Sequence, residues 1–400
     1  MKILIFTSLF PPDIGGVQNV TYNLAQQFKS SGHEVTVLTS LRLGELVENK
    51  TGVSKILSYF KVSKPIYIYK DLRVKKMFMS LPRTFMGCLS FPYRYLNSVF
   101  LLSVFIKKTK PSIVNFHFPD DSLYYFFAVS ILIKFPYIVN LHGNELHILS
   151  KNKFFKRVLA KVILRSKKVI VNSKYMKKTL LKNFPFVEDS KVAIINNGLN
   201  LGKFSSLEDR QISLKKDSFY LYVGRLDYKK GVDILIEVYN KIGQKLRRDL
   251  VIVGGSSVGS KTDGGVNLEE YKKMATSPRI KFEGWVDPNV IPYYFKNAYF
   301  SVFPSRNEPF GLVGLESMAS GTPIIASSGG FKEIIDATKG GIYFKPNSKE
   351  QLENLLLKVD KSSEIKDLLS KNALEGVLAF DWGSKSLEYL KIFEESKKVK

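Results

Sequence analysis

Apolar positions in this chain come in two kinds of run. Ile3–Thr7 is continuous, as a parallel strand buried on both faces requires. A Pro/Gly loop follows, and Val17, Val20, Leu24 and Phe28 then recur at helical spacing until Ser31-Gly32 ends the helix. Val35–Thr39 is a second continuous run, so the opening residues predict a βαβ unit. Further strands are predicted at Ile113–Phe116, Tyr137–Leu141, Val169–Val171 and Val192–Ile195, with apolar helical segments between them. After Asn200–Phe204 comes a charged stretch, Ser205–Asp217, that reads as a linker. The pattern then restarts at Phe219–Val223, Leu250–Val253, Ile280–Phe282, Tyr299–Phe303 and Pro323–Ile325. Strand-helix alternation of this kind means an α/β protein with two Rossmann-like, doubly wound parallel-sheet domains in series. The expected bounds are residues 1–204 and 205–382, with a closing helix over 383–400 returning to the first domain. Ligands in such sheets sit outside the carboxyl ends of the strands, which makes an interdomain cleft the expected site.

Composition changes the picture in one respect. At 400 residues, 44% hydrophobic and 24% charged, the chain is neither disordered, collagenous nor a polytopic membrane protein. The net charge of +25, however, is uneven. Residues 1–205 hold 31 basic and 10 acidic side chains, and residues 206–400 hold 30 and 26. The N-terminal half is therefore expected to meet something anionic: nucleic acid, a membrane surface or a phosphorylated substrate. The single cysteine, Cys88, allows no intrachain disulfide and suits a reducing cytoplasm. The opening apolar run imitates a signal peptide, but Pro11–Gly16 offers no small-residue cleavage site, so secretion is not expected. The longest apolar stretches, Val99–Ile106 and Leu123–Ile133, fall short of the roughly 18 residues of a bilayer span. No transmembrane helix is expected.

Four loops at predicted strand ends carry candidate chemistry. Gly15-Gly16 precedes a helix and lets backbone amides approach a phosphate, although the pair reads equally as a bare turn. In Gly224–Gly231, Arg225 and Lys230 suit one diphosphate, the guanidinium as a fork and the ammonium as a point charge. In isolation the same loop reads as a solvated basic turn. In Pro304–Glu316, Pro309 and Gly311 keep Glu308 out of a helix predicted to begin at Gly311 or Leu312, with Glu316 about one turn inside it. Two ionised carboxylates only accept hydrogen bonds, which suits sugar and ribose hydroxyls. The amides of Gly311 and Leu312 are placed for an anion between them. The plainer reading is a capped helix with one solvated Glu. His142, in Leu141–Glu145, follows a strand, where a lone His is commonly structural. The four histidines and the scattered carboxylates show no ligand spacing, so no metal site is expected. Gly254–Gly259 fits neither a dinucleotide nor a Walker fingerprint, and no G-x-S-x-G elbow exists.

Together these loops resemble the retaining nucleotide-sugar glycosyltransferases of family 4, with the GT-B fold. The resemblance spans nearly the whole chain: Gly15-Gly16, Gly32–Leu38, His142-Gly143, Val171–Ser173, Ile195–Gly198, Gly224-Arg225 with Lys230-Gly231, Val253–Gly255, Phe282–Val286 and Glu308-x7-Glu316 running into Ala319–Pro323. It departs from the usual pattern at Asn196, where many members have Pro, and at Ser317, where many have Ala. It implies that Arg225 and Lys230 hold the donor diphosphate and stabilise the leaving group, helped by Gly15, Gly16, Gly311 and Leu312. It implies that Glu316 binds ribose, the backbone near Val286 the base, and Glu308 the donor hexose. His142 then contacts the transferred sugar, with Asn197 near the cleft. The resemblance further implies a UDP- or GDP-linked sugar as the donor substrate, with no metal or other cofactor.

The acceptor reading rests on charge. Residues 54–110 carry 12 Lys/Arg and one acid, interleaved with aromatics from Tyr59 to Tyr95. Residues 151–182 carry 12 Lys/Arg and no acid, with Phe154, Phe155, Val158, Leu159, Val162 and Ile163 as one helical stripe that is expected to face the core. The first segment is expected at a membrane interface, where cationic amphipathic stretches lie. The expectation is a peripheral enzyme on the inner face of the plasma membrane, acting on a lipid-linked or glycan acceptor in cell-surface glycan assembly. No nucleic-acid module is present. The alternatives are a non-enzymatic polyanion-binding protein and a nucleotide-sugar epimerase on the same fold.

Overall fold

A computed structural model describes residues 1–12, 15–41, 66–82, 85–143, 145–146, 152–205, 214–255 and 268–398. The chain divides into two compact units: Met1–Asn172, Met176–Asn196 and Trp382–Lys400 form the first, Ser173–Tyr175 and Asn197–Asp381 the second.

In chain order, the first unit has β1 (Lys2–Thr7), α1 (Gly16–Ser30), β2 (Glu34–Ser40), β3 (Tyr67–Tyr69), β4 (Leu72–Met77), α2 (Phe85–Thr109), β5 (Ile113–His117), α3 (Ser122–Leu132), β6 (Tyr137–Leu141), α4 (Lys153–Arg165), β7 (Lys168–Val171), α5 (Lys174–Asn183) and β8 (Val192–Ile194). Its sheet runs β3-β4-β2-β1-β5-β6-β7-β8, parallel except for the β3–β4 hairpin. The inner strands are sheathed on both faces. Every residue of β5 and β6 is buried, and all but Lys2 of β1, which is why they read as unbroken apolar runs.

The second unit has α6 (Gly202–Ser205), β9 (Phe219–Val223), α7 (Val232–Ile242), β10 (Asp249–Val253), α8 (Leu268–Met274), β11 (Ile280–Gly284), α9 (Ile291–Asn297), β12 (Phe300–Phe303), α10 (Leu312–Ala319), β13 (Ile324–Ser327), α11 (Gly330–Thr338), β14 (Gly341–Phe344), α12 (Lys349–Val359) and α13 (Ser363–Gly376). Its parallel sheet runs β11-β10-β9-β12-β13-β14. The closing helix α14 (Trp382–Lys398) belongs to the first unit, where Tyr389 and Phe393 pack on Phe28 of α1 at centroid distances of 6.2 and 5.4 Å.

Several expectations need correction. The junction falls before Asn197 rather than after Phe204, because Leu199 and Phe204 are buried in the second unit's core and Leu199 bridges Asp381. Part of the basic, aromatic stretch 54–110 is the hairpin β3–β4, where Leu72 and Val74 point into the core between exposed Arg73 and half-buried Lys75. Tyr59, Phe60, residues 206–213 of the linker and 256–259 of the loop after β10 lie outside the described residues. In α4, Phe155, Val158, Leu159, Val162 and Ile163 face the core as expected, but Phe154 is exposed and stacks on Tyr124. The apolar residues Leu387, Leu390 and Phe393 of the closing helix suggest one buried stripe, but in α14 only Leu390 and Phe393 are buried and Leu387 is exposed. Finally, α2 runs unbroken through Pro92 and Arg94, and its portion Cys88–Thr109 is long and apolar enough to cross a membrane. The sequence reading counted only Val99–Ile106 of this helix as an apolar stretch. One side of α2 is packed: Arg94, Ser98, Leu102 and Ile106 are buried, with the Arg94 guanidinium 3.5 Å above the Phe78 ring.

Candidate active site

Strand order assembles the site before any side chain is considered. Order reverses between β9 and β12 in the second sheet and between β1 and β5 in the first, and ligands of doubly wound sheets gather outside the carboxyl ends at such points. Residues 224–231 leave β9 and residues 304–311 leave its partner β12, so the two charged loops singled out in the sequence are neighbours.

Asp227 organises the first of these loops. Its buried carboxylate accepts from the Lys230 amide at 3.1 Å, capping the turn Tyr228–Lys230, and pairs with Arg225 Nη2 at 3.2 Å. Gly231 then turns with φ 68°, and a Cβ there would lie 2.1 Å from the Pro304 carbonyl oxygen. Only glycine lets the loops meet so closely. Lys230 Nζ reaches Glu308 Oε2 at 2.7 Å, and Ser305 Oγ donates to the same oxygen at 3.4 Å. The buried Glu308 carboxylate is thereby compensated, as a desolvated charge must be.

A second pair fastens the loops behind this site. Arg306 forks onto Asp233 at 2.7 and 2.5 Å, lies 3.9 Å above the Tyr228 ring and donates to the Tyr228 carbonyl at 2.7 Å. Beyond Glu308, Gly311 opens α10 at φ 100°, where a Cβ would fall 2.3 Å from the Phe331 ring. No side chain caps α10, so the amides of Leu312 and Val313 are offered at a positive helix end, while that of Gly314 donates to the Gly311 carbonyl. Glu316 sits one turn further along. Burial pushes its carboxyl up to about 7, with Lys203 pulling the other way. The sequence reading takes this group as ionised; desolvation makes it share a proton near neutrality.

His142 closes β6 in the first unit, beside His117 at the end of the adjacent β5. A buried chain of amides and rings fixes its proton. Asn140 Nδ2 donates to Asn115 Oδ1, and Asn115 Nδ2 donates to His117 Nε2 at 2.7 Å. His117 therefore keeps its proton on Nδ1, which lies 3.1 Å from His142 Nε2. His142 accepts there, so its own proton is on Nδ1, an N–H donor. Burial lowers its pKa to about 4, which keeps it neutral. Burial, then the neighbouring His142 imidazole, which disfavours a second proton beside it, holds His117 well below the ordinary imidazole range. Glu145 accepts from the amides of His142 and Gly143 at 2.9 and 2.7 Å, and burial raises its carboxyl to about 7 despite them. At the neighbouring strand β1, Gly15 and Gly16 open α1 with no capping side chain and no acid in the first turn. These glycines and His142 share one sheet's carboxyl edge.

Of the expected residues, the structure brings Arg225, Lys230, Glu308 and Gly311 onto two adjoining loops, with Leu312 and Glu316 on the helix α10 that follows the second. Asn197 is buried at the head of the second unit, and Val286 follows the edge strand β11 and packs on that unit's core beside exposed Trp285. Sequence reasoning missed Asp227, Arg306, Asp233, His117 and Glu145. Asp227 carried a signal, a carboxylate three positions before the residue it caps. His117 also did, since it ends a strand whose order in the sheet sets it against His142.

Two parallel-sheet α/β units, each with candidate groups at its carboxyl edge, define the GT-B class of glycosyltransferases. Residues 14–203 match the family model of Glycosyltransferase Family 4, and residues 205–375 that of the glycosyl transferases group 1. The chain belongs to glycosyltransferase family 4. It is 26% identical to an uncharacterized glycosyltransferase of Methanocaldococcus jannaschii, over 98% of both chains. It is 24% identical to the alpha-monoglucosyldiacylglycerol synthase of Acholeplasma laidlawii, over 93% of this chain and 92% of that one. Among solved structures, sucrose-phosphate synthase from Thermosynechococcus elongatus superposes with a TM-score of 0.77 at 21% identity, covering 99% of each chain. Anabaena HepE in complex with UDP-glucose superposes at 0.74 and 17% identity, covering 99% of this chain and 100% of that one. Membership sets the chain among enzymes rather than among non-enzymatic polyanion binders.

Proposed function

We propose that the protein is a retaining, metal-independent hexosyltransferase. It takes its sugar from a UDP- or GDP-linked donor and passes it to a lipid-linked or glycan acceptor in cell-surface glycan synthesis, on the cytoplasmic face of the plasma membrane. The observation that carries this reading is the pair Lys230–Glu308 with Arg225 alongside, at the switch point of the second sheet. As the sugar–phosphate bond breaks, negative charge grows on the diphosphate. Arg225, Lys230 and the α10 amides are aimed at such charge without a metal ion. The leaving phosphate then takes the acceptor proton on the face it departs from. Glu308 is held ready to accept from hexose hydroxyls, and neutral His142 to donate from Nδ1. The UDP-glucose in the HepE structure supports a nucleotide-sugar donor, and the diacylglycerol named in the Acholeplasma relative supports a lipid acceptor.

The test is a thermal-shift screen of UDP- and GDP-hexoses. A true donor at 100 times its Kd adds about 2.7 kcal/mol of stability. Transfer onto acceptor-bearing anionic vesicles, with the anomeric configuration read by NMR, then follows. No stabilisation by any sugar nucleotide contradicts the donor reading, and an epimerised free nucleotide sugar makes the enzyme an epimerase. Failure to sediment with anionic vesicles at low salt removes the membrane part alone.

Glu316 adds a pH signature. Ribose hydroxyls donate to its carboxylate, so binding favours the ionised form and requires loss of the proton held near pH 7. Nucleotide affinity is expected to fall about ten-fold from pH 8 to pH 6. Glu316→Gln flattens that profile, and a flat wild-type titration contradicts the assignment.

A further inference from the structure

Helices α2, α3 and α4 of the first unit enclose an open groove of about 1020 Å³, at the upper end of the roughly 300–1,000 Å³ of ordinary ligand pockets. Aromatic rings dominate its walls: Phe91 and Tyr95 from α2, Tyr124 and Phe127 from α3. The α4 wall is of another kind. Phe154, Arg157, Lys161 and Leu164 follow one another along its exposed face, opposite the buried stripe, so apolar and cationic groups share one edge of the groove. Phe154 and Leu164 are 63% and 52% exposed. A contiguous apolar opening of this kind is unusual on a surface that meets only water.

The groove is continuous with a second apolar feature. Leu89, Tyr93, Leu96, Phe100 and Val104 recur along α2 at helical spacing and are all exposed, while Phe91 and Tyr95 of the same helix line the groove. An apolar stripe left facing solvent marks a surface that meets a membrane or another chain. Cations on the groove wall select the charge of what enters.

We infer that the groove binds one hydrocarbon chain of an anionic membrane lipid, with the headgroup held by Arg157 and Lys161 and the α2 stripe resting in the same leaflet. This rests on the membrane part of the proposed function and names its ligand class and site. An aliphatic chain suits the ring-lined floor, which presents few polar groups. The two cations at the rim meet a phosphate at the depth where chain gives way to headgroup, as snorkelling side chains do.

Titration with palmitoyl-lysophosphatidylglycerol below its micelle concentration, followed by tryptophan-independent calorimetry, tests the groove apart from the bilayer. Saturable binding is expected, roughly ten-fold tighter than for the zwitterionic choline analogue. Leu164→Asp, at a tolerant exposed position, and Ala160→Trp, which fills the groove, should each abolish it. Joint replacement of Arg157 and Lys161 by Gln should keep chain binding and lose the preference for the anionic lipid. Phe100→Asp, on the stripe but outside the groove, should weaken vesicle sedimentation and spare lysolipid binding. Absent or non-saturable binding by the wild type, or binding unchanged in both groove variants, overturns the inference. If vesicle sedimentation persists in that case, the membrane reading stands without the groove. A stable dimer that Phe100→Asp dissociates assigns the stripe to a second copy of the chain and also overturns it.

Discussion

Lys230→Met is expected to lower kcat/KM about 10²–10³-fold, the usual loss when one preorganised charge-stabilising donor is removed. It is also expected to lower folded stability by about 1–3 kcal/mol, because the buried Glu308 carboxylate loses the ammonium 2.7 Å away. Those two losses have different causes, and a second substitution separates them. Glu308→Gln in the Lys230→Met background removes the orphaned charge, so most of the stability should return on urea unfolding. Activity should not, since neither the cation for the diphosphate nor the acceptor for hexose hydroxyls is restored. Recovery of both properties would reduce the pair to a structural ion pair. Retained transfer in Lys230→Met would remove the electrostatic mechanism altogether.

Alongside Gly254→Ala, Gly231→Ala should be among the most damaging single methyl groups in the second unit. The residue sits at φ 68°, and the new Cβ would be placed 2.1 Å from the Pro304 carbonyl oxygen, a backbone atom that cannot swing aside. The expected cost is about 3 kcal/mol or more, with kcat/KM falling alongside because Lys230 is the preceding residue. Gly32 provides the control. Its φ is 79°, but a Cβ there meets nothing within 4 Å, so Gly32→Ala carries only the left-handed backbone penalty of about 1 kcal/mol. Equal midpoints for the two variants in denaturant unfolding would show that the loop contact matters less than the dihedral.

How much of this was readable from residues alone depended on what each element buries. Strands such as β5, β6 and β9 are covered on both faces, so they announce themselves as apolar runs. The β3–β4 hairpin lies at the sheet edge, and its two-residue alternation was lost among the lysines and tyrosines around it. Helix α2 was obscured by Pro92 and Arg94, which a helix tolerates when one finds solvent and the other an aromatic ring. The cations and carboxylates of the site stood out as motifs. Their supports were harder to see, because the partners in Arg306–Asp233 and His117–His142 sit on separate elements that only sheet order brings together.

The Arg306–Asp233 fork, laid across the Tyr228 ring, has a consequence for how this enzyme could diversify. It ties the loop after β9 to the loop after β12, so the donor diphosphate proposed to bind between them would find its seat already shaped and have little disorder to quench. On the proposed reading, changes in which sugar is accepted could then accumulate around Glu308 without loosening the grip on phosphate. A designer seeking a new donor should leave that weld intact and vary the side chains around it.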